Sequence, residues 1–178
     1  MYQEFIKRII SSIILLPIAF FFINKGSFLF IFFISVCFSI IFYEWHIMTK
    51  TKSYRIYGFI FLAISFYTIY KLRIDTAIGG YWFFIFITII CISTDIGGYV
   101  FGKLLKGPKL TKLSPNKTLS GMIGGYILSV ISSIIFTNFT FSKELPNDWI
   151  LFVIMISTIS QFGDIIISYF KRLSKIKD

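Results

Sequence analysis

Residues 79–101 read GGYWFFIFITIICISTDIGGYVF, twenty-three residues that carry one formal charge, Asp95. A helix of that length rises about 34 Å, enough to cross a hydrocarbon core about 30 Å thick. A carboxylate inside such a helix costs several kcal/mol in lipid, so it turns toward a polar cavity and marks a site. Similar apolar runs lie at 9–24, 27–43, 56–71, 119–137 and 149–170. Together they predict an all-α fold: a polytopic membrane helix bundle of about six transmembrane helices, one integral membrane domain over 1–178. Composition agrees. The chain is 56% hydrophobic and 20% aromatic, with 23 phenylalanines, and its mean hydropathy of +0.82 lies far above that of a soluble domain.

The first run follows Lys7 and Arg8, as in a signal peptide. No small-x-small cleavage site follows and a second span begins at once, so it reads as a retained helix. Asn24-Lys25-Gly26 is a tight turn that makes the first two spans an antiparallel hairpin. Cys37 and Cys91 lie within apolar runs without metal or disulfide spacing and read as packing residues. His46, the sole histidine, stands beside Trp45 just past a span, an interfacial pair rather than a ligand.

With the N-terminus inside, the cytoplasmic segments hold fourteen of the eighteen lysines and arginines; Lys25, Lys71, Arg73 and Lys143 remain outside. That asymmetry predicts a multi-pass protein with both termini cytoplasmic. The net charge of +10 then reads as topology plus attraction to anionic headgroups of the bilayer. Nucleic acid is excluded as a partner, because no soluble domain is present to bind it.

A second acid, Asp164, sits in the sixth run. Asp95 precedes Lys103 by eight residues and Asp164 precedes Lys171 by seven, gaps of about 12 and 10 Å along a helix. Both acids therefore lie at similar depth from one face. Ser160, Gln161, Asp164 and Ser168 fall on one helical face as a polar stripe. Such a stripe can hydrogen-bond to neighbouring helices or, with an acid at its centre, coordinate a cation such as Mg²⁺. Glu44 is a further acid near the surface, equally a solvated interfacial residue.

Between the acids runs a loop with Lys103, Lys106, Lys109, Lys112 and Lys117, ending in Leu113-Ser-Pro-Asn-Lys-Thr118. Pro115 favours a helix start that Ser114, Asn116 or Thr118 can cap. N–H groups at a helix start, beside Lys117, suit a phosphate. Gly98 and Gly102, and Gly121 and Gly125, are four apart, the spacing of close helix packing. The same small-residue faces allow packing between chains as a homodimer.

These segments resemble the phosphatidate cytidylyltransferase (CDP-diglyceride synthase) family. The likeness runs from Lys7-Arg8-Ile-Ile-Ser11 and Pro17 through Tyr43-Glu44-Trp45, and is strongest at residues 95–102 and 114–121. It resumes at Ser160-Gln-Phe-Gly-Asp164 and Ser168-Tyr-Phe-Lys-Arg172, ending at Lys177-Asp178. The chain departs from the family at Ser120 and Ile167, where glutamates are usual, and stops before the His-Gly-Gly and acidic segments that follow in the family. It resembles a C-terminally truncated member.

The resemblance implies transfer of CMP from CTP to phosphatidate, giving CDP-diacylglycerol and pyrophosphate in phospholipid biosynthesis at a bacterial inner membrane or its equivalent. It implies catalytic roles for Asp164, Lys117 and Asp95, with Asp164 as the ligand of Mg²⁺. Ser114, Asn116, Thr118, Gln161, Lys171 and Arg172 are the implied substrate contacts. With two glutamates replaced and the following acids beyond Asp178, the chain alone is expected to turn over CTP poorly. Two other classes compete: an inactive truncated remnant of that family, and a small ion-coupled transporter whose paired acids relay cations.

Overall fold

The computed structural model describes residues 2–74, 80–111, 114, 117–140 and 148–174, with the side chains of residues 2–13 and of Ser27 outside that description. Among the described residues there are six helices: α1 (Tyr2–Lys25), α2 (Ser27–Met48), α3 (Arg55–Ile74), α4 (Gly80–Leu105), α5 (Leu119–Thr140) and α6 (Trp149–Leu173). Five of them, α2 to α6, are long and apolar enough to cross a membrane; in α1 the apolar stretch among the described residues is Ile14–Lys25. The protein is all-α and a multi-pass membrane protein. Several helices overrun the apolar runs that predict them. α2 continues to Met48 rather than 43, and α4 to Leu105 rather than 101. A backbone hydrogen-bond ladder continues past the last apolar residue, and polar side chains at its end reach water.

The chain forms two compact units, residues 1–70 and residues 71–178. In the first, Gly26 joins α1 to α2 at φ 61° and ψ −161°, a conformation open to glycine and strained for other residues. The hairpin closes with Phe22 stacked on Phe33 at 5.2 Å between ring centroids. α2 and α3 meet through Phe42 and Phe59 at 4.2 Å and Phe38 and Phe66 at 5.0 Å.

The second unit follows membrane rules rather than those of a soluble core. Large apolar side chains such as Ile92, Ile131, Ile159 and Phe162 lie on the outside, while Ser93, Thr94, Ser129, Ser133, Thr137 and Ser157 are buried. Lipid is as apolar as leucine, so burying leucine gains little there; small residues win because they let backbones approach. Their hydroxyls are satisfied within the helices, as in Ser133 to the Ser129 carbonyl at 2.6 Å and Thr137 to the Ser133 carbonyl at 2.9 Å. Phe86, Ile90 and Val153 form the apolar centre, with Val130, Phe136 and Phe152 against it.

Candidate functional site

α4 and α5 pack through glycines. A Cβ on Gly97 would overlap the Gly124 carbonyl, and one on Gly121 would lie 2.6 Å from the Gly98 carbonyl oxygen. α6 is held against this pair by polar contacts. Thr94 Oγ1 and Ser157 Oγ lie 2.8 Å apart, Tyr126 Oη and Thr158 Oγ1 2.9 Å, and Gln161 Nε2 donates to the Met122 carbonyl at 3.4 Å. Ser168 donates back to the Asp164 carbonyl at 2.8 Å. The stripe on α6 thus divides: Ser168 bonds its own helix, while Gln161 and Asp164 face a cavity.

That cavity has a volume of about 230 Å³. α4 supplies Thr94, Asp95, Gly98 and Tyr99, successive positions on one helical face. α5 supplies Gly121 and Met122, α6 supplies Gln161 and Asp164, and the loop before α5 supplies Leu110, Lys117 and Thr118. Both intramembrane acids therefore line one cavity. Lys117 Nζ donates to Asp164 Oδ2 at 2.6 Å, with the lysine side chain 28% and the carboxylate 52% exposed. Such a part-exposed pair contributes about 0.2–1 kcal/mol, so incoming ions can displace it.

The loop is built to place Lys117. After α4 the backbone turns at Lys106, φ 44°, and folds back on itself. Lys109 and Thr118 form an antiparallel bridge, with Leu110 N–H donating to the Lys117 carbonyl at 2.8 Å and Leu119 N–H to the Pro108 carbonyl at 2.9 Å. Lys117 N–H closes a turn onto the Ser114 carbonyl at 3.1 Å. Both polar groups of the Lys117 backbone are fixed, which leaves its side chain to reach α6.

Of the three cap residues read from the sequence, Thr118 takes the position: its Oγ1 accepts from Gly121 N–H at 3.1 Å. Ser114 is buried instead in the turn, where its N–H donates to Thr111 Oγ1 at 3.1 Å. It does not line the cavity. Asn116, Pro115 and Lys112 lie outside the described residues. The start of α5 offers less to a phosphate than its sequence implies, since Leu119 and Gly121 N–H already have acceptors. Ser120 turns to the loop and accepts from Gly107 N–H at 3.2 Å. Lys171 and Arg172 stand in the last turn of α6, seven and eight residues beyond Asp164 and away from the cavity lining.

Sequence reasoning did not single out Thr94, Tyr99, Leu110 or Met122. Tyr99 had a usable signal, four residues from Asp95 and thus on its face. Lys103 Nζ, four further on, lies 3.4 Å from Tyr99 Oη and adds a cation beyond the cavity wall. Among the described residues no group of three or more His, Cys, Asp or Glu side chains forms a metal site. Two carboxylates on one cavity still suit Mg²⁺, which takes one or two carboxylates and completes its shell with water and substrate phosphates.

Residues 71–178 match the family described as the cytidylyltransferase family. The chain is 38% identical over 110 residues to a protein of Chlamydia muridarum named phosphatidate cytidylyltransferase, covering 58% of this chain and 36% of that relative. A Staphylococcus haemolyticus protein of the same name is 36% identical over 121 residues, 66% of this chain and 44% of its own length. One from Staphylococcus aureus is 34% identical over 124 residues with the same coverage. The chain thus spans 36% to 44% of the length of these relatives. No solved structure matches it.

Proposed function

This chain belongs to the cytidylyltransferase family, and from that premise we propose that its α4–α5–α6 cavity serves transfer of CMP from CTP to phosphatidate. The observation that carries the reading is the Lys117–Asp164 pair, 2.6 Å apart on a cavity shared with Asp95. A group that holds phosphate and a group that holds a cation neutralise each other until substrates arrive.

In the reaction a phosphatidate oxygen attacks the α-phosphorus of CTP. A P–O bond forms there as the bond to the bridging oxygen of the leaving pyrophosphate breaks, and that oxygen keeps the electron pair. Such a transfer needs charge neutralisation and positioning more than covalent help. Mg²⁺, when bound, would neutralise phosphate oxygens and orient them. Asp164 would hold it, and Asp95 would keep the cavity polar. Lys117, once released from Asp164, would hold a phosphate oxygen. Lys171 and Arg172, about 10–12 Å along α6 from Asp164, would meet the lipid headgroup or the nucleotide. The products are CDP-diacylglycerol and pyrophosphate.

The test supplies membranes containing the chain with labelled CTP, phosphatidate and Mg²⁺, and follows CDP-diacylglycerol together with Mg²⁺-dependent retention of phosphatidate. Turnover is expected to be low, with both signals falling at least about tenfold in Asp164→Asn and in Lys117→Ala, the loss of one charge-assisted contact. Signals that persist unchanged in both variants, or an absence of both signals in the parent chain, would overturn the proposal.

A further inference from the structure

Within the first compact unit, the end of α2 and the start of α3 carry a second arrangement of polar and apolar groups. Arg55, the first residue of α3, is fixed from three sides. Its Nη2 donates to His46 Nδ1 at 2.6 Å, its guanidinium lies over the Phe59 ring at 5.5 Å, and its carbonyl accepts from Trp45 Nε1 at 3.0 Å. An arginine only donates, so His46 Nδ1 must be the acceptor and the ring proton sits on Nε2. His46 thus orients the guanidinium of Arg55, which is permanently cationic and keeps further N–H donors. Among the described residues no carboxylate pairs with Arg55.

Below this pair runs a groove of about 500 Å³ lined by Phe38, Ser39, Phe42, Tyr43 and His46. From His46 down to Phe38 is eight residues, about 12 Å of helix, which matches the upper part of an acyl chain. The level of the pair is that of the headgroups, for Trp45, Tyr54 and Tyr57 cluster there, as aromatic side chains do at membrane interfaces. Charge complementarity points the same way. The turn between α2 and α3 carries Lys50 and Lys52, α3 opens with Arg55, and the one acid of residues 27–74 is Glu44. Glu44 is two positions from His46, about 200° round the helix, and faces away from the groove.

We propose that this groove is a structural lipid site that holds an anionic phospholipid, its phosphate on Arg55 and one acyl chain along Phe42 and Phe38. Arginine suits the phosphate, because its planar fork can donate two parallel hydrogen bonds to it. The site is independent of the transfer reaction, since its residues all belong to the first compact unit and the lipid held there does not react.

The full chain, carrying Trp82→Phe and Trp149→Phe so that Trp45 alone fluoresces, is reconstituted into phosphatidylcholine vesicles. Phosphatidylglycerol or phosphatidylcholine brominated in its acyl chains is then added in matched amounts. Phosphatidylglycerol is chosen because it is not the substrate of the proposed transfer. Quenching of Trp45 is expected to favour phosphatidylglycerol by about fivefold, the contribution of one well-placed cation. Arg55→Gln should remove most of that preference, and Arg55→Lys should keep part of it. Equal quenching by the two lipids, or a preference unchanged in Arg55→Gln, would overturn the proposal. Should Arg55→Gln alter helicity or melting, Ser39→Phe decides. It fills the groove without touching Arg55, so loss of the preference supports the site and its retention refutes it.

Discussion

Thr118 is a single side chain on which the site depends without contributing charge. Its hydroxyl caps α5 at Gly121 N–H, while its neighbours close the bridge opposite Lys109, through Leu110 N–H to the Lys117 carbonyl and Leu119 N–H to the Pro108 carbonyl. The cap thus fixes where the helix starts, directly after Lys117. Loss of a threonine cap costs about 1 kcal/mol, so Thr118→Ala should lower the melting midpoint of the full chain by about 2–4 °C in detergent. Thr118→Ser, which keeps the hydroxyl, should restore most of it. If the two variants melt alike, the hydroxyl is not the cap. The sequence offered Ser114, Asn116 and Thr118 as equal candidates, because a cap is chosen by the register at which the helix begins. Here that register is set by main-chain bonds between the two arms of the loop, which leave no trace in side-chain types. That Asp95 and Asp164 turn toward one polar cavity was legible, by contrast, since an isolated carboxylate in an apolar run has few physical uses.

At the scale of helices, glycine spacing revealed that α4 and α5 approach closely and part of how they meet. Gly98, Gly102 and Gly121 do face one another, but the spacing passed over Gly97, which abuts the Gly124 backbone. Azimuth and crossing depth decide between neighbouring glycines, and in a membrane the lipid-facing side is as apolar as the rest, so hydrophobic periodicity marks a helix face poorly. The contacts predict opposite outcomes for one substitution at two places. Gly97→Ala would push a methyl into the Gly124 carbonyl and should destabilise by about 1–3 kcal/mol, as overpacking does. Gly163, within Gln161-Phe-Gly-Asp164, has nothing within 4 Å of where its Cβ would sit. Gly163→Ala should leave stability unchanged or raise it by up to about 1 kcal/mol through reduced backbone entropy. Unfolding of the full chain in mixed micelles by added sodium dodecyl sulfate measures both. A loss in Gly163→Ala as large as in Gly97→Ala would mean that α6 is covered at that position.

Across the whole molecule, the number and order of helices were legible because each span must be apolar over a fixed length, while their ends were not, because polar turns extend a helix without changing its hydropathy. Orientation rests on charge. If α2 to α6 each cross the bilayer, their connections alternate between its two sides, and we expect the α2–α3 turn, the α4–α5 loop and the end of α6 on one side. That side would hold Lys50, Lys52, Lys103, Lys106, Lys109, Lys117, Lys171 and Arg172, among other cations. Basic residues in short loops are retained on the cytoplasmic side. CTP is a cytoplasmic nucleotide, so the proposed reaction demands the same side for Lys117. We therefore expect a single cysteine at position 109, in a background with Cys37→Ala and Cys91→Ala, to react with a membrane-impermeant maleimide only after the membrane is opened. A cysteine at position 25, in the α1–α2 turn, should react from outside in intact cells. Reaction of position 109 from outside would invert the topology and, with it, remove Lys117 from the compartment that holds the nucleotide.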